Sequence, residues 1–337
     1  MATNWSEHNN ERSCRLRHTT ARTDLPVANQ TNVVHAFAIP HVPTAHLYLA
    51  LVLLFPTDSH TMVGSMARNK ERLIPEVLPI RNGEGEMHVF RSVEDTDRLI
   101  EVATGFTAIP ELYYELAETI ALGGWANVVI PDLNSPLSWD GVTDNSLAYR
   151  AERLRLVAEE VGKHTKINAI DLLGHSYGGA TAAEATVDFP YPIEVLHLIC
   201  SVGFGGVVIE DAARFRGQAI QAYTNEILGI TRHAHLRRYL GFNALKKELG
   251  VMRAAKHRIS DLRGIVTMTP ERMVELINAL EAEVVVDAQV APHDHFVHPG
   301  PTIKLLGRDN VVDIHPKANH LAPCTYGGHV ARLAMAA

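Results

Sequence analysis

Along the 337-residue chain, short apolar runs bounded by turn residues alternate with stretches whose apolar residues recur every three or four positions. The first pattern suits buried strands and the second amphipathic helices. From about residue 80, segments 86–93 and 98–104 read as strands, and 111–122 reads as a helix with Leu112, Leu116 and Ile120 on one face. A strand is expected at 126–130, ended by Pro131-Asp132. A helix follows at 146–161, where Leu147, Ala151, Leu154, Ala158 and Val161 form an apolar stripe and Gly162 is the stop. Further strands are expected at 167–173, 193–201, 283–290 and 311–315, with a short helix at 302–306 and a terminal one at 326–336. Strands alternating with helices predict a mostly parallel sheet covered on both faces.

That rhythm breaks in two places. Between 204 and 282 the chain reads as successive helices, around 210–228, 232–249, 251–263 and 270–282. The last opens on Thr269-Pro270-Glu271, a capping residue followed by a first-turn proline, and repeats Met273, Leu276, Ile277 and Leu280. Residues 1–61 read as an extension, of which 1–33 is polar, of mixed charge and without apolar periodicity, as in disordered tails. The run 47–55, Leu-Tyr-Leu-Ala-Leu-Val-Leu-Leu-Phe, is too short to span a bilayer and is bracketed by Pro43 and Pro56. It is read as a segment packing on the domain or touching a membrane surface, with Met62 or Met66 as alternative starts.

Composition adds bounds. With 46% hydrophobic and 20% charged residues and a net charge of −7, the chain can bury a sizeable core and does not read as a nucleic-acid binder. Cys14, Cys200 and Cys324 are odd in number and widely spaced, which fits neither a disulfide framework nor a zinc site and points to a reducing, cytoplasmic setting. Charge is uneven: residues 232–263 hold nine Lys or Arg, among them Arg237 and Arg238, against Glu248 and Asp261. Solvated helix faces or an anionic substrate, carrier or lipid surface are the two readings of this segment.

The candidate chemistry lies at 174–179, Gly174-His175-Ser176-Tyr177-Gly178-Gly179, directly after an apolar run and before the small-residue helix start Ala180-Thr181-Ala182-Ala183. Gly-x-Ser-x-Gly between strand and helix is a nucleophile elbow: the turn is so tight that Gly174 and Gly178 must flank it, and it lifts the Ser176 hydroxyl at the sheet edge.

On these residues the stretch from about 80 to 337 resembles the α/β-hydrolase superfamily, in its capped, serine-nucleophile, esterase-like branch. The resemblance implies an α/β-hydrolase core at 62–203 and 283–337, with a helical cap inserted at 204–282. It puts the acid at Asp294, where Asp294 and Val297 fit a Gly-x-x-Asp-x-x-Val pattern with Ala291 in the glycine place. Asp309, Asp313, and Glu210 or Asp211 are the alternatives. The base falls at His320, on the loop before the terminal helix, with His315 as competitor in the preceding strand. The order Ser176, Asp294, His320 is that of the fold. Oxyanion donors are expected from the N–H of Tyr177 and of Phe106, in a loop where Thr104 replaces the family's usual histidine. His293, Asp294, His295 and His298 also permit a metal-ligand reading.

The implied function is a cofactor-free serine hydrolase acting on a small-molecule carboxylic ester or related acyl bond, anionic if the basic cap contacts it. C–C bond hydrolysis or haloperoxidase-type perhydrolysis on the same triad, and a non-catalytic ligand receptor, remain open alternatives.

Overall fold

The computed structural model describes residues 73–80, 85–106, 108–133, 146–205 and 267–337, all within the compact unit Phe55–Ala337. The expected tail, the apolar run 47–55, the alternative starts Met62 and Met66, Glu210 and Asp211, and the helices and basic residues between 206 and 266 lie outside the described residues.

Among the described residues, eight strands form one sheet: β1 Glu76–Pro79, β2 Glu86–Phe90, β3 Arg98–Ala103, β4 Asn127–Pro131, β5 Ala169–His175, β6 Ile193–Ile199, β7 Val285–Val290 and β8 Val311–Asp313, in the order β1-β2-β4-β3-β5-β6-β7-β8. β1 and β2 are antiparallel to their neighbours, and every pairing from β4 to β8 is parallel. The helices are α1 Tyr114–Leu122, entered through a 3₁₀ turn at Pro110–Tyr113, then α2 Leu147–Gly162, α3 Tyr177–Ala185, α4 Pro270–Ala279, α5 Pro299–Leu306, the short α6 Ala322–Thr325, and α7 Gly327–Ala334.

Local signals start two of these helices. Ser146 accepts a hydrogen bond from the Tyr149 N–H and Thr269 one from the Arg272 N–H, each satisfying an amide that the first turn leaves unbonded. The central strands are buried on both faces, which is why they read as continuous apolar runs rather than alternating ones. One face puts Ile100, Val102, Val128, Ile130 and Leu173 against Leu116 and Ile120 of α1 and Val330 and Ala331 of α7. The other puts Leu99, Val129, Leu172 and Leu198 against Leu154 and Val157 of α2 and Ala180 and Ala183 of α3. Met273 and Leu276 of α4, in the stretch read as the end of the cap, pack into this second cluster, and Arg272 pairs with Glu184 of α3 at 3.1 Å.

Several expectations shift by a few residues. β1 escapes the sequence reading. The strand expected to reach His315 ends at Asp313, so the His315 ring lies beyond the sheet and stacks on Tyr326 at 4.6 Å. No helix among the described residues is long and apolar enough to cross a membrane.

The register aligns the C-terminal ends of the parallel strands. Ala103 pairs with Gly174, His175 with Ile199, and Ile199 with Gln289. In open α/β sheets this edge is where ligands are taken up.

Candidate active site

β5 runs straight into α3 with Ser176 as the only residue between them. Its backbone has φ 55° and ψ −121°, a sparsely populated conformation costing roughly 1–3 kcal/mol, held because the surroundings leave no other path. The Ser176 N–H donates to the Ile199 carbonyl at 3.0 Å, and its carbonyl accepts from Val202 at 3.1 Å. The flanking glycines are required by close approach: a Cβ on Gly174 would overlap the Gly178 carbonyl, and one on Gly178 the Ala103 carbonyl. α3 can therefore start directly at the sheet edge.

Asp294 lies in the turn after β7, and His320 lies between β8 and α6. Both are buried, whereas His293, His295 and His298 around Asp294 are exposed. Among the described residues no group of three or more His, Cys, Asp or Glu could hold a metal ion. His320 Nδ1 lies 2.8 Å from Asp294 Oδ2, and His320 Nε2 lies 2.8 Å from Ser176 Oγ. The other carboxylate oxygen, Asp294 Oδ1, accepts the N–H groups of Phe296 and Val297, each at 2.8 Å.

These contacts fix proton positions. An ionised carboxylate only accepts, so the imidazole proton sits on Nδ1, Nε2 presents its lone pair, and the Ser176 hydroxyl donates to it. Burial pushes the Asp294 carboxyl up, but the facing His320 and the two backbone N–H groups outweigh it and hold it below its ordinary 3.8. The carboxylate is thereby kept charged where His320 needs it.

His175 supports the same arrangement from beneath. Its Nδ1 is 2.7 Å from Tyr113 Oη and its Nε2 is 2.7 Å from the His320 carbonyl oxygen. A carbonyl only accepts, so Nε2 carries the proton and Nδ1 accepts from the tyrosine. Burial, then the nearby His320, lowers the His175 pKa to about 3, so it is neutral. Its ring centroid is 5.1 Å from that of His320, and Phe296 lies at the same separation. Tyr177, first residue of α3, and Phe106, in the loop after β3, both flank this edge.

Ser176, Asp294 and His320 are thus brought together. His315 is not: its Nδ1 accepts from the Lys317 N–H at 3.1 Å. Asp313, at the end of β8, is exposed and pairs with Arg308. Sequence reasoning passed over Tyr113 and Arg150. For Arg150 a signal existed, since it lies three residues after Leu147 and four before Leu154, on the apolar stripe of α2.

A family model described as Alpha/beta hydrolase matches residues 111–227, a stretch that includes the elbow. A comparison with curated proteins gives no match. Among solved structures, a protein of Acinetobacter baumannii assigned as a lipase is similar with a TM-score of 0.55 at 15% identity, covering 88% of this chain and 96% of its own. A bromoperoxidase from Bacillus anthracis gives 0.51 at 12% identity, over 77% of this chain and 97% of its own. A lipase-esterase related protein from Clostridium acetobutylicum gives 0.51 at 15%, over 73% and 97%. At such identities the likeness is one of fold. With its strand order, its strand-to-helix elbow and the family-model match across it, the chain has the α/β-hydrolase fold.

Proposed function

We propose that this protein is a serine hydrolase that cleaves a carboxylic ester or related acyl bond through an acyl-enzyme. The observation that carries the reading is the unbroken hydrogen-bond chain from Ser176 Oγ through the His320 ring to Asp294.

In this reading Ser176 Oγ attacks the acyl carbon while His320 Nε2 takes its proton, since a serine hydroxyl is a weak nucleophile without an adjacent base. Asp294 holds the Nδ1–H tautomer and stabilises the imidazolium. The tetrahedral oxyanion is met by the backbone N–H groups of Tyr177 and Phe106, each donor worth roughly 3–4 kcal/mol of barrier. Collapse expels the leaving group, which receives the proton from His320. Water then attacks the acyl-enzyme with His320 again as base, releasing the acid and restoring Ser176. A neutral His175 suits this cycle, because a second positive ring beside His320 would oppose the imidazolium.

The basic segment 232–263 supports a preference for acyl substrates with a negative group remote from the scissile bond. The test has two arms. A fluorophosphonate probe should label the wild-type chain and leave Ser176→Ala unlabelled. Across a panel of p-nitrophenyl esters, anionic monoesters should be turned over faster than neutral esters of equal length. An unlabelled wild type overturns the serine-hydrolase reading, and equal rates at low salt overturn the anionic preference alone.

A further inference from the structure

The loop after β3 holds one peptide unit fixed at both ends. The Thr104 carbonyl accepts from Arg150 Nη2 at 2.7 Å, and the N–H of the same peptide, on Gly105, donates to Tyr113 Oη at 2.9 Å. Tyr113 accepts there, so its own proton goes to His175 Nδ1, and His175 passes the direction on through Nε2–H to the His320 carbonyl. Four hydrogen-bond groups thus point one way, from the β3 loop to the loop that carries His320.

Arg150 joins the β3 loop to the elbow as well. It is fully buried, rooted in α2, and its Cζ lies 4.9 Å from the centroid of the Tyr177 ring. Its Nε donates at 3.3 Å to Thr181 Oγ1, which itself donates at 3.0 Å to the Tyr177 carbonyl. One guanidinium therefore touches both chain segments from which the oxyanion donors are expected. An arginine costs much to bury, and its fork of donors reaches several acceptors at once, which a lysine or an apolar residue in the α2 stripe could not do.

We infer that Arg150, Tyr113 and His175 are positioning residues: they lock the Thr104–Gly105 peptide from both sides, and so set the aim of the next N–H along the chain, that of Phe106, at the developing oxyanion. This rests on the serine-hydrolase reading above. Fixed orientation is what gives an oxyanion donor its worth, because donors already in place need no reorganisation as charge develops.

The experiment compares wild type with Tyr113→Phe, Arg150→Lys and Arg150→Met. Each is measured for kcat and KM on p-nitrophenyl acetate, for inhibition by an aryl trifluoromethyl ketone whose serine adduct places an oxyanion in the hole, and for thermal midpoint. Tyr113→Phe keeps the ring and removes only the hydroxyl. It should lower kcat about ten- to hundredfold, the scale of a small misplacement, with KM within about twofold, and weaken the ketone by a similar factor. Arg150→Lys, which keeps the charge but loses the planar fork, should fall between wild type and Arg150→Met. Wild-type kcat and ketone affinity in a folded Tyr113→Phe overturn the proposal, as does lost activity with unchanged ketone affinity. A wild type that the fluorophosphonate does not label overturns the hydrolase reading itself, a result separate from either of these.

Discussion

Gly178 lies so close to Ala103 that a Cβ added to it would overlap the Ala103 carbonyl oxygen, with the Thr104 carbonyl also inside contact distance. The obstacle is backbone, which cannot swing aside, so the first turn of α3 can rest on the end of β3 only without a side chain there. Gly178→Ala should cost stability at or above the upper end of the roughly 1–3 kcal/mol typical of overpacking. Gly300, in α5, has nothing within 4 Å of the corresponding Cβ position, so Gly300→Ala should cost nothing and gain up to about 1 kcal/mol from helix propensity. Urea midpoints of the two variants separate these cases, and equal midpoints would contradict the contact argument.

What the sequence discloses follows the range of the physics involved. The elbow is legible because tight approach demands glycine at fixed offsets from one serine. The starts of α2 and α4 are legible because Ser146 and Thr269 cap amides only three residues away. The loops carrying Asp294 and His320 are placed only by the resemblance to the α/β-hydrolase superfamily, which says which strands they follow. β1 is invisible because Glu76–Pro79 is an edge strand, largely exposed and without an apolar run. Arg150 shows only as a charge on the apolar stripe of α2, and the bonds it and Tyr113 make are invisible for another reason: their partners Thr104 and His175 are 46 and 62 residues away, and no local periodicity encodes such a bond.

Substitutions in the proposed triad should fail as a unit. Ser176→Ala and His320→Ala are each expected to lower kcat on p-nitrophenyl esters by about 10⁶-fold, since neither group works without the other. Asp294→Asn should cost about 10⁴-fold, by favouring the wrong tautomer of His320. A His320→Ala variant of near-wild-type turnover would assign the base elsewhere.

His175 should contribute a loss of stability in acid. Its folded pKa, about 3, lies below its ordinary 6.5, so between those values the unfolded chain binds the extra proton. The contribution is fully present above pH 6.5 and is lost as pH falls towards 3, at about 1 kcal/mol per pH unit. Asp294, also lowered, adds its own loss only below its ordinary 3.8. Because Glu101 acts in the opposite sense over part of the same window, the effect is read as a difference: on going from pH 6.5 to 5, His175→Gln should lose less stability, or gain more, than wild type. An equal change in the two proteins would assign the loss to other groups.

Glu101 gives the opposite pH dependence. It sits at 1% exposure in β3, paired with Val129 and Leu172 and pointing to the same face as Leu99 and Ala103. Neither of its carboxylate oxygens has a hydrogen-bond partner among the described residues. Burial without a compensating charge raises its pKa well above the ordinary 4.5, which favours the neutral acid in the folded protein. Below pH 4.5 both states are protonated and nothing is lost. Above it the unfolded chain releases a proton that the folded one retains, and stability declines as pH rises through the folded pKa. Glu101→Leu has a similar volume and no polar atom to satisfy, so it should be more stable than wild type at pH 7, by about 2 kcal/mol. That gap should narrow towards pH 4.5. Chemical denaturation of both proteins at pH 5 and pH 7 checks it, and a variant less stable than wild type at pH 7 would show that the Glu101 carboxylate is held by partners in the folded state.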